Sequence, residues 1–296
     1  MLNKITVLTP TYNRGNLIIN CYNSLVKQTY KNFEWLVIDD GSLDNTEIIM
    51  KKLISEKKID IRFFKKPNGG KHTALNYGFD LCKGDLTIIV DSDDYLTENA
   101  LQVINELWSQ NYHIENLHSI AFLRQYSDGT IIGDKFPKDY FLSNHVQCRF
   151  NLKIKGDKAE VYNTNILKTY KFPVFEGEKF LSEDIVWTRM GKVYKTLYIN
   201  LPIYVTEYLE GGLTKSGRKL RIQCPRGAIE AHSQYLSTDF NWSIRVKHMI
   251  LSITYQYFLG YKTKEILSNR TINKMIALIS IFPGYLLFKF WEKKYM

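Results

Sequence analysis

A short apolar segment that ends in a cluster of aspartates constrains this chain most. The run Leu86–Val90 is β-favouring and too apolar for an exposed strand, which predicts a buried central strand of a parallel sheet. Asp91, Asp93 and Asp94 follow at once. Ligands of open α/β sheets bind beyond the carboxyl ends of the strands, and crowded carboxylates need a compensating cation. The cluster therefore predicts Mg²⁺ or Mn²⁺ bridging substrate phosphates; a polar turn with one capping aspartate is the alternative.

Strand-like and helix-like segments alternate over about the first 110 residues. Strands are predicted at 5–8, 33–38 and 59–64, the last at an edge, and helices at 16–28, 45–57, 73–82 and 99–108. This alternation predicts an α/β fold with a right-handed, doubly wound, mostly parallel sheet that is Rossmann-like in its nucleotide-binding half.

A second pair of acids, Asp39 and Asp40, ends the second predicted strand, and Gly41 permits a tight turn there. A nucleotide across this sheet edge could offer its base to the pair and its metal-bound diphosphate to the later aspartates, although turn and capping chemistry explains either acid equally well. Lys71 and His72 open a helix and could meet phosphate; an exposed basic loop is the alternative. The chain has no G-x-G-x-x-G or Walker A motif, which disfavours NAD and P-loop ATP sites.

Four motifs in order carry a family resemblance: Val7–Arg14, Val37–Ser42, Asn68–Asn76 and Asp91–Asp94. In this order and spacing they resemble the family 2 glycosyltransferases of the GT-A fold, closely over about residues 3–110 and loosely to about 215. The resemblance implies a nucleotide-sugar donor, most often UDP-linked, and a Mn²⁺ or Mg²⁺ ion. It also implies inversion at the anomeric carbon by a hexosyl- or N-acetylhexosaminyltransferase of the bacterial surface-polysaccharide type.

The resemblance also implies a donor site. Nucleotide-sugar contacts are expected from Thr9, Pro10, Thr11, Tyr12, Asn13, Arg14, Asp39, Asp40, Gly41, Lys71, Asn76, Asp91, Ser92 and Asp93. Asp91 and Asp93 match the family's DxD motif, and the metal ligands are expected among Asp93, Asp94 and Asp91.

A later acidic pair, Glu183 and Asp184, opens an apolar helix. An inverting transfer needs a carboxylate to take the proton of the attacking hydroxyl. The pair looks like the family's ED motif, and by that match Asp184 is the base, with Glu183 as the alternative. Without the resemblance, an aspartate in a first helical turn is more often a capping residue. Glu176 and Glu178 are predicted to be solvated loop charges.

A glycine-rich loop at 207–214, followed by Lys215, Arg218, Lys219 and Arg221, is predicted either to close over the diphosphate or to be an ordinary solvated surface. No Q-x-x-R-W stretch, which processive family members carry, occurs in this region, so addition of a single sugar is favoured.

The basic character of the chain lies at its C-terminal end. Of 40 Lys/Arg and 30 Asp/Glu, residues 213–296 hold 14 and 4, which leaves 26 of each in the preceding 212 residues. This asymmetry argues against a nucleic-acid-binding coat.

The segment 223–296 is helical in period and rich in aromatic residues. Its run Met275–Phe288, bordered by lysines, is expected to be too short to span a membrane and to be broken at Pro283–Gly284. An in-plane helix on an anionic bilayer is favoured; a helical cap on the catalytic domain and a dimer contact are the alternatives. No secretory signal is visible, and four isolated cysteines suit a reducing cytoplasm. The expected location is cytoplasmic, peripheral on the inner face of the cell membrane.

These expectations combine into one interpretation. A catalytic domain at 1–222, with a donor half at 1–110 and an acceptor half at 111–222, precedes a helical region at 223–296. The predicted enzyme moves a single sugar from a UDP-sugar to a saccharide acceptor, plausibly lipid-linked, in cell-surface polysaccharide synthesis. A sugar-phosphate nucleotidyltransferase and a non-catalytic, membrane-associated module of the same fold are the alternatives. No nucleic-acid partner is expected, and a homo-oligomer stays open.

Overall fold

The computed structural model describes residues 2–206, 213–268 and 273–296, with backbone only at 213–216. The chain divides into two compact units: Met1–Lys171 with Val193–Leu209, and Phe172–Lys192 with Glu210–Met296. The second unit thus takes in residues 172–192, which the sequence had placed in the catalytic domain.

The first unit contains a mixed sheet. Its described strands are β1 (Ile5–Thr11), β2 (Phe33–Asp39), β3 (Ile61–Lys65), β4 (Leu86–Ile89), β5 (Tyr95–Leu96), β6 (Leu117–Gln125), β7 (Phe141–Ser143), β8 (Lys158–Asn163) and β9 (Lys195–Val205). Their spatial order is β3-β2-β1-β4-β8-β6-β9-β5, with β7 beside β9. The predicted edge position of β3 is confirmed.

Strands β3, β2, β1 and β4 are parallel, and β8 joins β4 in the antiparallel direction. The α-helices in the described part of this unit are α1 (Ile18–Val26), α2 (Thr46–Ser55), α3 (Lys71–Leu81), α4 (Ala100–Asn111) and α5 (Thr164–Thr169), and a π-helix spans Gln147–Asn151. The predicted doubly wound, mostly parallel architecture is therefore confirmed. Because the strands run in register, with Thr11 opposite Asp39, the carboxyl ends of β1 and β2 lie at one edge of the sheet.

Burial explains why these segments form central strands. Every residue of β1 and β2 is buried, as expected of parallel strands covered on both faces. Helix α1 places Ile18, Cys21 and Leu25 in the same apolar cluster as Trp35. Each fully buried side chain of this size contributes about 1.5–3 kcal/mol, so the core rigidly supports the sheet edge.

The sequence around Asp128–Gly129 is a hairpin signal, which predicts a turn between strand-like pieces at 119–124 and 130–133. The structure has the turn, with Tyr126 N donating to Thr130 O at 2.8 Å. The second strand is absent from the described residues, where Ile131 forms a single bridge with Gln125. The long neighbour of β6 is instead β9, from a distant part of the chain.

The second unit is helical in its described part. It contains α6 (Asp184–Gly191), α7 (Leu213–Gln223), α8 (Pro225–Ser233), α9 (Trp242–Phe258), α10 (Thr263–Ser268) and α11 (Lys274–Tyr295). An apolar cluster that includes Met249, Ile253 and Ile276 packs α9 against α11. The helical character predicted for the C-terminal region is confirmed.

The expected break at Pro283–Gly284 is wrong. Helix α11 continues through Pro283 for 22 residues. Gly284 permits a close contact with α9, since a Cβ at this position would lie 2.8 Å from Ile253, and tertiary packing overrides the local helix-breaking preference. Among the described residues α11 is long and apolar enough to cross a membrane, with a mean hydropathy of 1.4 and 28% of it buried. The judgement that the run is too short is therefore also wrong.

Substitution of two glycines that both have positive φ measures how tightly the turn after β2 is packed. At Gly41 (φ 80°) an added Cβ would meet the backbone of Asn68 at 2.8 Å, whereas at Gly129 (φ 86°) it would meet nothing within 4 Å. We expect Gly129→Ala to cost about 1–2 kcal/mol from backbone conformation alone. Gly41→Ala should cost about 1–3 kcal/mol more because the turn must move. Urea unfolding measures both, and equal losses would contradict this packing.

Candidate active site

Charged residues from three of the sequence motifs meet at the carboxyl edge of the sheet. Lys71, the first residue of α3, contacts Asp91 at 2.6 Å between Nζ and Oδ1. Arg14, which follows β1, donates to Oδ2 of Asp93 at 3.1 Å. The loop after β4 is thus flanked by cations from two other segments of the chain.

Asp91 and Asp93 are accessible, with side chains 29% and 27% exposed. Burial alone would raise the pKa of Asp91, but the nearby cations, above all Lys71, outweigh it and hold this pKa below its usual value. Asp91 is therefore a carboxylate at neutral pH, available to a cation.

Asp94 has a different environment. It is 4% exposed, accepts a hydrogen bond from the Tyr204 hydroxyl at 2.7 Å, and lies 3.7 Å from the Arg124 guanidinium. Burial, followed by the charge of Asp91, raises the pKa of Asp94 to about 7. Through Oδ2, the Asp94 carboxyl anchors the aspartate loop to β9, and its expected role as a metal ligand stays a prediction.

The donor set fits a metal ion only in part. Among residues 2–206, 213–268 and 273–296 no group of three or more His, Cys, Asp or Glu is arranged to hold an ion, so the expected three-carboxylate site is not preformed. Asp91 and Asp93 remain. Mg²⁺-type ions in phosphate-transfer sites often use one or two carboxylates, with substrate phosphates and water completing the shell. The pair fits such a site.

The two acids at the end of β2 differ sharply. Asp40 is saturated: its carboxylate accepts from Lys66 Nζ at 2.6 Å, from Gly70 N at 2.7 Å and from Gly69 N at 3.0 Å. It therefore shapes the loop before α3, which is a structural task.

Asp39 keeps one oxygen without a partner. Its Oδ1 accepts from the backbone N–H and the hydroxyl of Ser42, whereas its buried Oδ2 has no hydrogen-bond partner. Thr11 Oγ1, on the neighbouring strand, and His72 Nδ1, in the first turn of α3, are also buried without partners. Burial lowers the pKa of His72, so its ring is neutral. An unmet buried polar group costs about 1–3 kcal/mol, which makes these three atoms candidates for ligand contacts.

The other predicted donor residues are distributed around this edge. Tyr12 is 43% exposed, whereas Pro10 and Ser92 are buried. Asn13 Oδ1 accepts from Leu43 N at 2.8 Å, which ties the turn after β1 to the turn after β2. Asn76 lies further along α3, where its carbonyl accepts from Lys171.

Thr9 lies within the sheet. It is fully buried, and its hydroxyl accepts from Trp35 Nε1 at 2.9 Å. That contact accounts for the polar side chain in an apolar strand, so Thr9 is better explained as a core residue than as a ligand contact.

Sequence reasoning missed Tyr204, in β9. Its hydroxyl accepts from Asp91 N at 3.0 Å and donates to Asp94, and the Arg124 guanidinium lies 4.0 Å from its ring centroid. A tyrosine in a strand carries no local signal for such a role, because its two hydrogen-bond partners are more than 100 residues away.

The candidate base lies in the second unit, where helix α6 begins at Asp184. Its carboxylate is exposed, and Ser182 Oγ is 3.4 Å away. Glu183 occupies the N-cap position. The predicted closing loop falls largely outside the described residues, since 207–212 are not among them.

Glu178 is not a free loop charge, contrary to the sequence expectation. Its carboxylate accepts from Arg226 N at 2.9 Å and from Gly227 N at 2.7 Å, and so caps the N-terminus of α8.

A conservative change at Tyr204 tests how the aspartate loop is held. We expect Tyr204→Phe to lose about 1–3 kcal/mol of stability, since two buried polar groups lose their partner, and to speed hydrogen exchange at the Asp91 amide. Tyr198→Phe removes the hydroxyl of another buried tyrosine of β9 and should leave that amide unchanged. NMR-detected exchange measures this; equal protection in both variants would contradict the anchoring role.

Comparison with known proteins shows what this chain is similar to. Residues 6–149 match the model of Glycosyl transferase family 2. Glycosyltransferase GlyA of Streptococcus pneumoniae is 29% identical over 224 residues, which are 72% of this chain and 32% of GlyA. The poly(ribitol-phosphate) beta-N-acetylglucosaminyltransferase TarP of Staphylococcus aureus is 29% identical over 182 residues, 60% of this chain and 52% of TarP. The chain thus spans about a third of GlyA and half of TarP.

Solved structures show the same fold. S. aureus TarS 1–349 in complex with UDP matches with a TM-score of 0.63 at 16% identity, over 99% of this chain and 92% of that one. The mannosyltransferase PcManGT of Pyrobaculum calidifontis, in complex with GDP-Man and Mn²⁺, matches with a TM-score of 0.58 at 15% identity, over 100% and 84%. The mostly parallel sheet is that of the GT-A neighbours, and residues 6–149 of this chain match Glycosyl transferase family 2.

Proposed function

We propose that this protein transfers a single sugar from a UDP-sugar to a saccharide acceptor, with inversion at the anomeric carbon. The observation that carries the proposal is the sheet edge where Asp91 and Asp93 lie accessible between Lys71 and Arg14. Carboxylates beside phosphate-binding cations suit a metal-bound diphosphate.

The unpartnered atoms beside this edge support a nucleoside contact. Asp39 Oδ2 and neutral His72 Nδ1 match the donor and acceptor edge of a pyrimidine ring, and Tyr12 is an exposed ring in the neighbouring turn. TarS structures contain UDP and UDP-GlcNAc, whereas PcManGT contains GDP-Man. The uracil preference therefore rests on the first comparison.

Asp93 and Asp91 would hold Mn²⁺ or Mg²⁺, whose charge stabilises the leaving diphosphate. Both carboxylates now pair with side-chain cations. A divalent ion held there would neutralise the two carboxylates, and the positive charges of Lys71 and Arg14 beside them would attract the phosphate oxygens. Binding of metal and donor is therefore expected to be mutually dependent.

Asp184 is the proposed base. An exposed carboxylate at the start of α6 can accept the proton of an acceptor hydroxyl as that oxygen bonds to the anomeric carbon and the diphosphate departs. One displacement of this kind inverts the configuration.

The acceptor is proposed to belong to a cell-surface polysaccharide, plausibly lipid-linked. TarP is named for transfer of N-acetylglucosamine to poly(ribitol-phosphate), which supports a bacterial surface polymer as the acceptor class. The absence of Q-x-x-R-W in the sequence supports addition of one sugar at a time.

A membrane partner is proposed from helix α11. Six large apolar side chains are 51–69% exposed and recur at helical spacing: Met275, Leu278, Ile279, Phe282, Leu286 and Phe290. Lys289, Lys293 and Lys294 lie near its end. An apolar stripe beside cations suits the inner, anionic leaflet of the cell membrane.

Two carboxylate variants separate donor binding from chemistry. We expect Asp93→Asn to abolish both transfer and Mn²⁺-dependent UDP binding, because the ion loses a ligand. Asp184→Asn should lower transfer about 10²–10⁴-fold while UDP binding stays unchanged. Thermal shifts with UDP-, GDP- and dTDP-sugars, with and without Mn²⁺, identify the donor, and a UDP-release assay follows transfer.

Asp80→Asn, an exposed acid on α3 paired with Lys171, is the matched control and should behave as wild type. Wild-type turnover by Asp184→Asn would refute the base assignment, and UDP binding that ignores Mn²⁺ would refute the metal site.

The membrane contact is tested by charging the exposed stripe. Each Phe side chain removed from contact with lipid costs about 1.5–3 kcal/mol, so Phe282→Asp with Phe290→Asp should lower binding to vesicles rich in anionic lipid at least 100-fold. Ile48→Asp, 72% exposed in the first unit, is the control. Unchanged co-sedimentation of the double variant would exclude α11 as the contact.

A further inference from the structure

The second unit contains a cavity of about 100 Å³ that the proposed donor site does not use. Asp184 lies on its wall, together with Ser182, Arg221, His232, Tyr235 and His248. A cavity of this size has room for several water-sized groups. It can hold the hydroxyl-bearing edge of one sugar.

Contacts of α8 with α6 and with the segment before α6 hold the cavity wall beside Asp184 in place. Glu178 binds the first backbone N–H groups of α8, and Arg189 of α6 pairs with Glu230 of α8 at 2.6 Å. Gly227 lets the segment approach closely, since a Cβ there would lie 2.8 Å from Leu181. The cavity is therefore bounded by elements held on both sides of Asp184.

Two histidines supply its polar wall. His232 Nδ1 and His248 Nδ1 are 3.1 Å apart. Burial lowers the pKa of His232 to about 3 and that of His248 to about 4, so both rings are neutral. One Nδ1 must donate and the other accept, which forces opposite tautomers on the two rings.

The tautomers also determine the hydrogen-bonding roles of the two Nε2 atoms. Because the tautomers are opposite, one Nε2 is a donor and the other an acceptor. Across residues 2–206, 213–268 and 273–296, neither Nε2 of His232 or His248 has a hydrogen-bond partner. A sugar hydroxyl both donates and accepts, and so matches this pair without any change of charge.

Aromatic and cationic groups complete the surface. The Tyr235 ring lies 4.0 Å from the His248 ring, centroid to centroid, and Tyr255 stacks on His232 at 5.6 Å. These contacts fix both imidazoles. Arg221 lies over the Phe180 ring at 5.5 Å and has no carboxylate partner in the described part of the chain. Its N–H groups can donate to further hydroxyls.

We propose that this cavity is an acceptor subsite, in which His232 and His248 bind hydroxyl groups of a saccharide whose reacting hydroxyl meets Asp184. The inference rests on the proposed function, because it assumes that Asp184 is the base. It makes the two histidines positioning and specificity residues for the acceptor, and it assigns them no role in donor binding or proton transfer.

The test uses the full chain and a panel of p-nitrophenyl glycosides of glucose, galactose, N-acetylglucosamine and N-acetylgalactosamine as probes. Binding is followed by saturation-transfer NMR and by the side-chain ¹⁵N resonances of histidine-labelled protein. We expect at least one glycoside to bind and to shift the Nε2 signals of His232 and His248. Ala231→Leu, which fills the cavity, and His248→Leu should each weaken that binding at least tenfold.

Two variants serve as controls. His248→Gln keeps a polar group near the Nε2 position and should retain most of the binding. Arg226→Leu changes an exposed residue of the same helix and should bind as wild type. UDP binding with Mn²⁺, measured by calorimetry, should stay within twofold in every variant. If Ala231→Leu does not fold, the labelled-histidine titration of the wild type decides.

Three results would overturn the proposal: wild-type affinity for the glycosides in the cavity-filled variant, glycoside binding without a shift of either Nε2 signal, or no binding of any glycoside by a protein that binds UDP. Loss of UDP binding in all proteins, with the glycoside results as expected, would instead remove the proposed donor and leave the saccharide subsite standing.

Discussion

The hydroxyl of Tyr204 holds the loop on which the candidate donor site depends. It accepts the backbone N–H of Asp91 and donates to the carboxyl of Asp94, so both ends of the aspartate loop are attached to one rigid ring on β9. The ring is fully buried and is covered by the Arg124 guanidinium. Preorganisation of this kind matters where charge must be stabilised without rearrangement, because a fixed carboxylate needs no further ordering when an ion arrives.

The acids of this edge divide into two kinds by their hydrogen bonds. Both oxygens of Asp40 and Oδ2 of Asp94 are engaged by neighbouring protein groups, and these two acids shape the two loops. Asp91 and Asp93 are accessible, and Asp39 keeps one oxygen without a partner. Asp39 and Asp93 thus each come directly before one of the structural acids, Asp40 and Asp94, in the sequence. The same residue type serves both purposes, and only the surroundings of each carboxylate distinguish them.

The second unit contains two surfaces that differ in polarity. Its neutral histidine pair and its exposed α11 stripe have opposite characters, one suited to hydroxyl groups and the other to lipid. A saccharide acceptor carried on a lipid would present both. The proposed acceptor subsite and the proposed membrane contact therefore agree with one substrate class, and each is argued from its own observations.

The sequence by itself determined the sheet and its acidic edge, because strand periodicity, turn glycines and the motif order are local properties. It predicted β1 to β4, the edge position of β3 and the helix that opens at Asp184. It could not separate Asp39 from Asp40 or recognise Asp94 as an anchor, since both distinctions depend on partners from distant segments, Lys66 and Tyr204. The continuity of α11 through Pro283 and the pairing of His232 with His248 were likewise decided by tertiary packing, because a close helix contact outweighs local propensity and no spacing rule brings two helices together.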